Sequence, residues 1–507
     1  MRVLFATSEA YPLAKSGGLA DVSRALPIAL RQEGVDVRLV LPGYNSAIAQ
    51  LARPKIEAHL PAWLGEENAS LVSGLLPNSE VPVWLIYAPS LYSRPGGLYQ
   101  DASHQDWDDN PRRFSYFGRV AAALAMGRLL PWKADIVHAN DWHAGLLPFY
   151  LSLAGRRRPA TVFTIHNIAF QGNFPRHAIG QTRVPEQFFV PDGVEFYGQL
   201  SFLKAALRYC DKITTVSRQY RQEVMTAEYG CGFDGLLQSR REDFRGIING
   251  IEDDIWDPAA DRLLPQCYSR QDISGKRVCK AELQREVGLD LSPDVPLIGF
   301  SSRLTHQKMA DVLVELIPDI MTQGAQLAVM GDGEPALEKE LLRLKARYPG
   351  SLAYCRYREE LAHRLQAGAD ILLAPARYEP CGLTQLYALR YGTVPVVRRT
   401  GGLADTVTDA RSATLSEETA TGFAFEDPSR KAFGDAIERA LRMYREPLLW
   451  RRLQLAGMKR ESGWKVSALE YLSLYEEASG LSRPRQKGYS QGGELSQREV
   501  RSAQGWT

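Results

Sequence analysis

Short apolar runs alternate with longer amphipathic ones along most of this chain. RVLFA (2–6), DVRLVLP (36–42), VPVWLIYA (81–88), DIVHAND (135–141), ATVFTIHN (160–167) and KITTVS (212–217) are short and rich in β-branched residues. Such near-continuous apolar runs are what strands of a parallel sheet need when both faces are covered. Between them, ADVSRALPIALRQEG (20–34), closed by Gly34, and RRFSYFGRVAAALAMGRLL (112–130) carry helical spacing. GIINGIEDDIWDP (246–258) breaks the pattern with residues suited to a hinge, and then the pattern begins again. VPLIGFSSRL (295–304), AQLAVMGDG (325–333), LAYCRY (352–357), ADILLAPA (369–376) and TVPVVRRTGG (393–402) read as a second set of strands separated by helices. The predicted fold class is α/β, with two Rossmann-like domains in tandem whose facing strand ends make a cleft. The domains are expected at 1–245 and 259–479, joined by the hinge 246–258. Final helical patterns within 447–479 are expected to pack back toward the first domain. From Gly480 to Thr507 the chain is polar and aperiodic, the composition of a disordered tail.

Length agrees with two domains, since 507 residues exceed what one core usually supports. With 61 basic against 59 acidic residues, the net charge of +2 gives no electrostatic case for nucleic acid or a membrane surface. No apolar stretch approaches a membrane span, and Glu9 interrupts the first apolar run before a secretory core could form, so a cytoplasmic location is expected. The six cysteines are scattered, which argues against both a zinc knuckle and a disulfide scaffold. Neither G-x-S-x-G nor H-E-x-x-H occurs. Asp332 and Glu334 in GDGEPALE read more simply as a turn and helix start than as metal ligands.

The chemistry concentrates at strand ends. AKSGGLADVSRALP (14–27) lacks the spacing of a triphosphate loop, yet Gly17 and Gly18 before a helix let a ligand approach the backbone. Lys15 adds a mobile charge, and Asp21 either accepts from sugar hydroxyls or complements the helix dipole. A Gly-Gly pair before a helix also serves as a plain connector. RTGGLADTV (399–407) repeats the loop, with Arg399 for Lys15. Asp141, Trp142 and His143 end one strand, a mixture suited to gripping a sugar, and His166 and Asn167 end the next. In the second half, Arg303 and Lys308 form a fork and a point charge able to share a diphosphate, or are two solvated cations. Glu379 ends the strand before a helix-opening loop, placed to hold a ribose diol or to meet the helix dipole.

Taken together, KSGGLADV, DWHAG, HNIAFQGNF, NGIEDDIWDP, SRLTHQK, EPCGLTQLYALRYG and RTGGLADTV resemble bacterial glycogen synthase and plant starch synthase, over about residues 1–478. The resemblance implies a GT-B glycosyltransferase that moves glucose from ADP-glucose, with retention, to the non-reducing end of an α-1,4-glucan (glycogen), without metal or other cofactor. By motif position it implies that Lys15, Gly17 and Gly18 meet the donor with Asp21 nearby, and that Arg303 and Lys308 neutralise the departing diphosphate. Glu379 and the loop Cys381, Gly382, Leu383 and Thr384 would contact the donor, and Tyr357 would stack on adenine. His166 and Asp141 would lie by the glucose and acceptor, with His166 foremost in the chemistry, and Asn249 near the donor. Three departures stand out: Met309 where the family usually has Gly, so that a different turn is expected; Tyr387 where related transferases have a second Glu; and a diverged YQDASHQDWDDNPRRF segment. A UDP-glucose donor and a glucan binder without catalysis are the alternatives. A dehydrogenase would need G-x-G-x-x-G after the first strand, which residues 8–18 lack.

Overall fold

The computed structural model describes residues 1–66, 68–103 and 105–480. The tail expected to be disordered lies outside them from residue 481 on, and Gly480 closes the last helix. Two compact units emerge: residues 1–216, 221–247 and the segment from 465 form the first, and residues 217–220 and 248–464 the second.

In the first unit a nine-stranded sheet has the order Phe244–Gly246, Lys212–Thr215, Ala160–Ile165, Ile136–Asn140, Arg2–Ala6, Asp36–Pro42, Pro82–Tyr87, Ser70–Leu75, Ala52–His59. Seven strands are parallel, and the last two are added antiparallel. That edge pair was not evident from the apolar pattern. ARPKIEAH leaves most positions exposed and carries charge at Arg53, Lys55 and Glu57, as an edge strand tolerates. Arg2–Ala6 is central, and the chain winds outward from it in both directions, which puts a topological switch point between it and Ile136–Asn140. In open α/β sheets ligands bind beyond the carboxyl ends of the strands at such a point. The helix Gly18–Gln32 follows the first strand, burying Leu19, Val22, Leu26 and Leu30 at helical spacing, and Gly34 turns the chain at φ +83°.

The second unit holds a six-stranded, all-parallel sheet in the order Leu352–Cys355, Gln326–Met330, Leu297–Ser301, Ile371–Ala374, Val394–Arg398, Phe423–Phe425. This is the 3-2-1-4-5-6 order of dinucleotide-binding folds. Side chains alternate between two cores: Ile298, Phe300, Leu327, Val329, Ile371 and Leu373 enter one, and Leu297, Ala328, Met330 and Leu372 the other. Burial on both faces explains why the strands read as unbroken apolar runs. Its switch point lies between Leu297–Ser301 and Ile371–Ala374, the strands that lead into SRLTHQK and into ARYEPCGLT.

The helical pattern at 447–479 resolves into two helices, Pro447–Lys459 and Trp464–Gly480. The second seals the core of the first unit with Tyr471, Leu474, Tyr475 and Ala478, and Tyr475 Oη lies 2.7 Å from Nδ1 of the buried His138.

Candidate active site

Glu9 organises the switch point of the first unit. The carboxylate is buried after the first strand, where Oε2 accepts from the backbone N–H of Ser16 (2.6 Å) and Gly17 (3.0 Å), and Tyr99 Oη donates to Oε1 (2.5 Å). Burial raises its pKa, and the hydrogen bonds hold it partly in check. The anion held by this loop is therefore the protein's own, and Gly17 N–H, expected to face a ligand, is taken. Gly18 follows with nothing within 4 Å of a hypothetical Cβ, and the same holds at Gly17, so both leave open space above the loop. Lys15 projects from it, paired with Asp21 (2.8 Å) and 5.2 Å from the centre of the Tyr11 ring.

Asp141 occupies an unusual backbone conformation, φ +54° and ψ 175°, which costs a non-glycine residue roughly 1–3 kcal/mol. This bend points its carboxylate at the next strand end, where Oδ1 accepts from His166 N–H (2.8 Å). Burial pushes the Asp141 pKa up to about 7, against the lowering effect of that bond. His166 keeps part of its surface open, yet burial of the ring lowers its pKa to about 3, so it stays neutral. Asn140 donates to Ala6 O (3.2 Å), leaving its carbonyl oxygen to receive His166 Nε2 (3.0 Å). That arrangement keeps the proton on Nε2 and frees Nδ1 as an acceptor.

Trp142 and His143 depart from expectation. His143 is buried, with no hydrogen-bond partner for either ring nitrogen among the described residues, stacked on Tyr99 (4.2 Å) and close to Trp142 (4.0 Å). Trp142 packs against Phe114 and over Gly172, where a Cβ would come within 2.4 Å of the indole. The pair is a wall under the strand ends, not a free sugar clamp.

In the second unit Lys308 and Glu379 form a largely enclosed ion pair that joins the loops after the two central strands. Arg303 is exposed, and its guanidinium has no partner among the described residues. Met309 takes the left-handed conformation (φ +52°), and its side chain is fully buried. Burying a methionine contributes about 2–3 kcal/mol, more than the ~1–2 kcal/mol cost of that backbone state. Gly382 (φ +73°) leads into the helix Thr384–Arg390, with Leu383 at its N-cap position. Gln385, fully buried, fastens this loop by donating to Cys381 O, Gly382 O and Thr406 Oγ1. Burial pushes the Cys381 thiol up to about 12, with a backbone hydrogen bond from Asn249 opposing the shift, and the Asn249 side-chain oxygen is buried without a partner among the described residues. Tyr357 stands apart at the edge strand's end, half-exposed, with Oη donating to Glu359 (2.6 Å).

The repeated loop has a different task. A Cβ at Gly401 would lie 1.7 Å from Glu379 O, and one at Gly402 2.1 Å from Cys381 O. These glycines let the helix start pack directly on the Glu379–Cys381 backbone. Asp405, the counterpart of Asp21, accepts from Arg218 N–H (2.7 Å) and Gln219 N–H (3.0 Å), and Arg399 pairs with Glu426 (3.2 Å). Sequence reasoning noticed Glu9 only as a break in an apolar run and set Tyr99 aside in a diverged segment. Their signal is pairwise: a carboxylate and a phenol 90 positions apart that only the fold unites. Among the described residues no cluster of three or more His, Cys, Asp or Glu is arranged to hold a metal ion, and no helix is long and apolar enough to cross a membrane.

Comparison with known proteins identifies the family. A family model described as starch synthase catalytic domain matches residues 2–239, and one described as glycosyl transferases group 1 matches residues 285–452. The chain is 49% identical to glycogen synthase of Burkholderia thailandensis, over 93% of this chain and 90% of that one, and 47% identical to glycogen synthase of Thioalkalivibrio sulfidiphilus, over 94% and 99%. Among solved structures, the catalytic domain of starch synthase IV from Arabidopsis thaliana bound to ADP and acarbose aligns with a TM-score of 0.84 at 30% identity, covering 94% of this chain and 99% of that one. A sucrose-phosphate synthase from Thermosynechococcus elongatus, at 17% identity and a TM-score of 0.57, shares the fold. This chain belongs to the glycogen synthase and starch synthase family of GT-B glycosyltransferases, which work with a nucleotide-sugar donor and a glucan acceptor.

Proposed function

We propose that the enzyme transfers glucose from ADP-glucose to the non-reducing 4-hydroxyl of an α-1,4-glucan with retained configuration, without a metal, in the cytoplasm. The observation that carries the metal-free reading is the contrast between two cations at one switch point. Lys308 is held by Glu379, whereas Arg303 is exposed and its guanidinium has no partner among the described residues. An unpaired guanidinium beside a fixed ammonium suits a diphosphate that gains charge as it leaves, and preorganised charge of this kind is often the largest catalytic contribution. ADP is favoured as the nucleotide because the Arabidopsis starch synthase structure carries it.

In this reading the bond from C1 to the diphosphate oxygen breaks and its electron pair leaves with the diphosphate. The acceptor oxygen then bonds to C1 from the same face, and its proton passes to the departing diphosphate oxygen. Neutral His166 orients a sugar hydroxyl through Nδ1, and Asp141 lies beside it. Lys15 and the open Gly17–Gly18 surface serve the donor, with Glu9 shaping the loop from below. Glu379, Asn249 and the 381–384 loop contact the donor, and Tyr357 stacks on adenine once its phenol leaves Glu359.

The test is nucleotide release from ADP- or UDP-glucose with glycogen, in the presence of EDTA. Release from ADP-glucose is expected. Release from neither donor overturns the reading, release only with metal overturns the two-cation account, and a trapped glucosyl-enzyme overturns same-face attack. Lys15→Ala is expected to lower kcat/KM about 100-fold with Tm preserved, the scale of losing one oriented electrostatic contact to the departing group.

A further inference from the structure

We propose that two exposed aromatic rings, Tyr197 and Phe170, form a distal subsite for the α-1,4-glucan acceptor, outside the reacting groups. This rests on the glucosyl-transfer reading above and adds a place where the body of the polymer is held.

Tyr197 is the first residue of a two-residue hairpin turn between Glu195–Phe196 and Gln199–Ser201, and it is 80% exposed. Both turn residues are left-handed, Tyr197 at φ +49° and Gly198 at φ +78°, the requirement of the type I′ turn that favours Asn-Gly. A bulky ring gains nothing for folding there, because the backbone cost is not offset by burial. Strain at an exposed aromatic points to a use outside folding.

The ring is also seated. It meets Phe196 edge-on at 4.6 Å, and Phe196 stacks on the buried Phe233 at 4.0 Å. Gly232 lies against it, where a Cβ would stand 3.2 Å from Tyr197 Cε2. Most of the ring is left to solvent as a flat apolar surface beside polar backbone, which matches the apolar face and hydroxyl rim of a pyranose.

The patch is linked to His166 through the chain. Phe170, 58% exposed, is four positions beyond His166, its N–H donating to Asn167 O (3.1 Å). The adjacent Gln171 donates from Nε2 to Cys231 O (3.0 Å), next to the Gly232 that borders Tyr197. An acceptor whose end reaches His166 would extend along this linked backbone to the two rings. That continuity selects the glucan, rather than a second copy of the protein, as the occupant.

The test uses the full-length enzyme with Tyr197→Asn, Tyr197→Trp and Phe170→Ala. Asn suits the turn better than Tyr, so Tyr197→Asn is expected to keep or raise Tm while reducing kcat/KM for glycogen relative to maltotriose about 3- to 10-fold, mainly through KM. Tyr197→Trp is expected to keep that ratio, and Phe170→Ala to lower it. Retardation of each variant in glycogen-containing native gels, run without donor, reads binding independently of catalysis. No transfer by the parent enzyme sinks the reaction reading, whereas normal transfer with an unchanged ratio and unchanged retardation sinks the subsite. A shift in sedimentation with unchanged glycogen affinity makes the patch a contact between copies and also overturns it.

Discussion

Asp141 is where local strain, burial and titration meet in one side chain. Its carboxyl has a pKa of about 7 in the fold against an ordinary 3.8, because burial penalises the charge more than the His166 N–H relieves it. Between those two values the folded protein holds a proton that the unfolded chain releases, so this residue makes stability fall as pH rises from about 4 to about 7. Asp141→Asn removes that slope while keeping an acceptor for His166. Relative to the parent, the variant is expected to gain on the order of 2 kcal/mol between pH 5 and pH 8 in denaturant melts; a pH-independent difference shows that Asp141 titrates as an ordinary carboxylate. His166 differs in kind: neutral throughout this range, it acts through hydrogen bonding, and activity should show no ionisation attributable to it near pH 6.5.

At the level of elements, two nearly identical segments are separated by what surrounds them. Gly17 faces open space and has an extended φ of −155°, whereas Gly401 is at φ +43° with Glu379 O where a Cβ would go. Gly17→Ala is therefore expected to leave Tm within about 1 °C, since surface changes rarely exceed ±0.5 kcal/mol, and to raise KM for the donor. Gly401→Ala is expected to cost 2 kcal/mol or more, by the order of magnitude of backbone overpacking, and to lower Tm and activity together. Equal effects on Tm contradict the separation. Motif spacing announces a strand-to-helix loop in both cases. Which loop admits a ligand and which one serves as a packing joint depends on neighbours such as Glu379 and Cys381, some 20 residues away in the chain, and is invisible to spacing.

For the whole molecule, the returning C-terminal helix belongs to the stability of the first unit. Tyr475→Phe leaves Nδ1 of the buried His138 without its partner, an expected loss of about 1–3 kcal/mol in a thermal or urea melt. An unchanged melt means that the phenol contributes nothing there. Burial holds the His138 pKa near 3, so protonation cannot compensate at neutral pH. By itself the sequence determined two parallel-sheet units, because strands buried on both faces write unbroken apolar runs, and it marked Lys15, Asp141, His166, Arg303, Lys308 and Glu379, because each closes a strand or opens a loop within a short motif. The edge strand Ala52–His59 escaped it, since most of its positions are exposed, and so did its neighbour Ser70–Leu75, whose short SLVSGL run mixes serine and glycine with its apolar residues. Only the tertiary structure decided that Glu9 and Tyr99 meet beneath the first loop, that Trp142 and His143 are wall, that Met309 adopts a glycine's conformation, and that Lys308 is paired with Glu379 while Arg303 has no side-chain partner among the described residues. Those outcomes depend on which groups desolvate and neutralise one another across distant segments, and a linear motif holds no record of that.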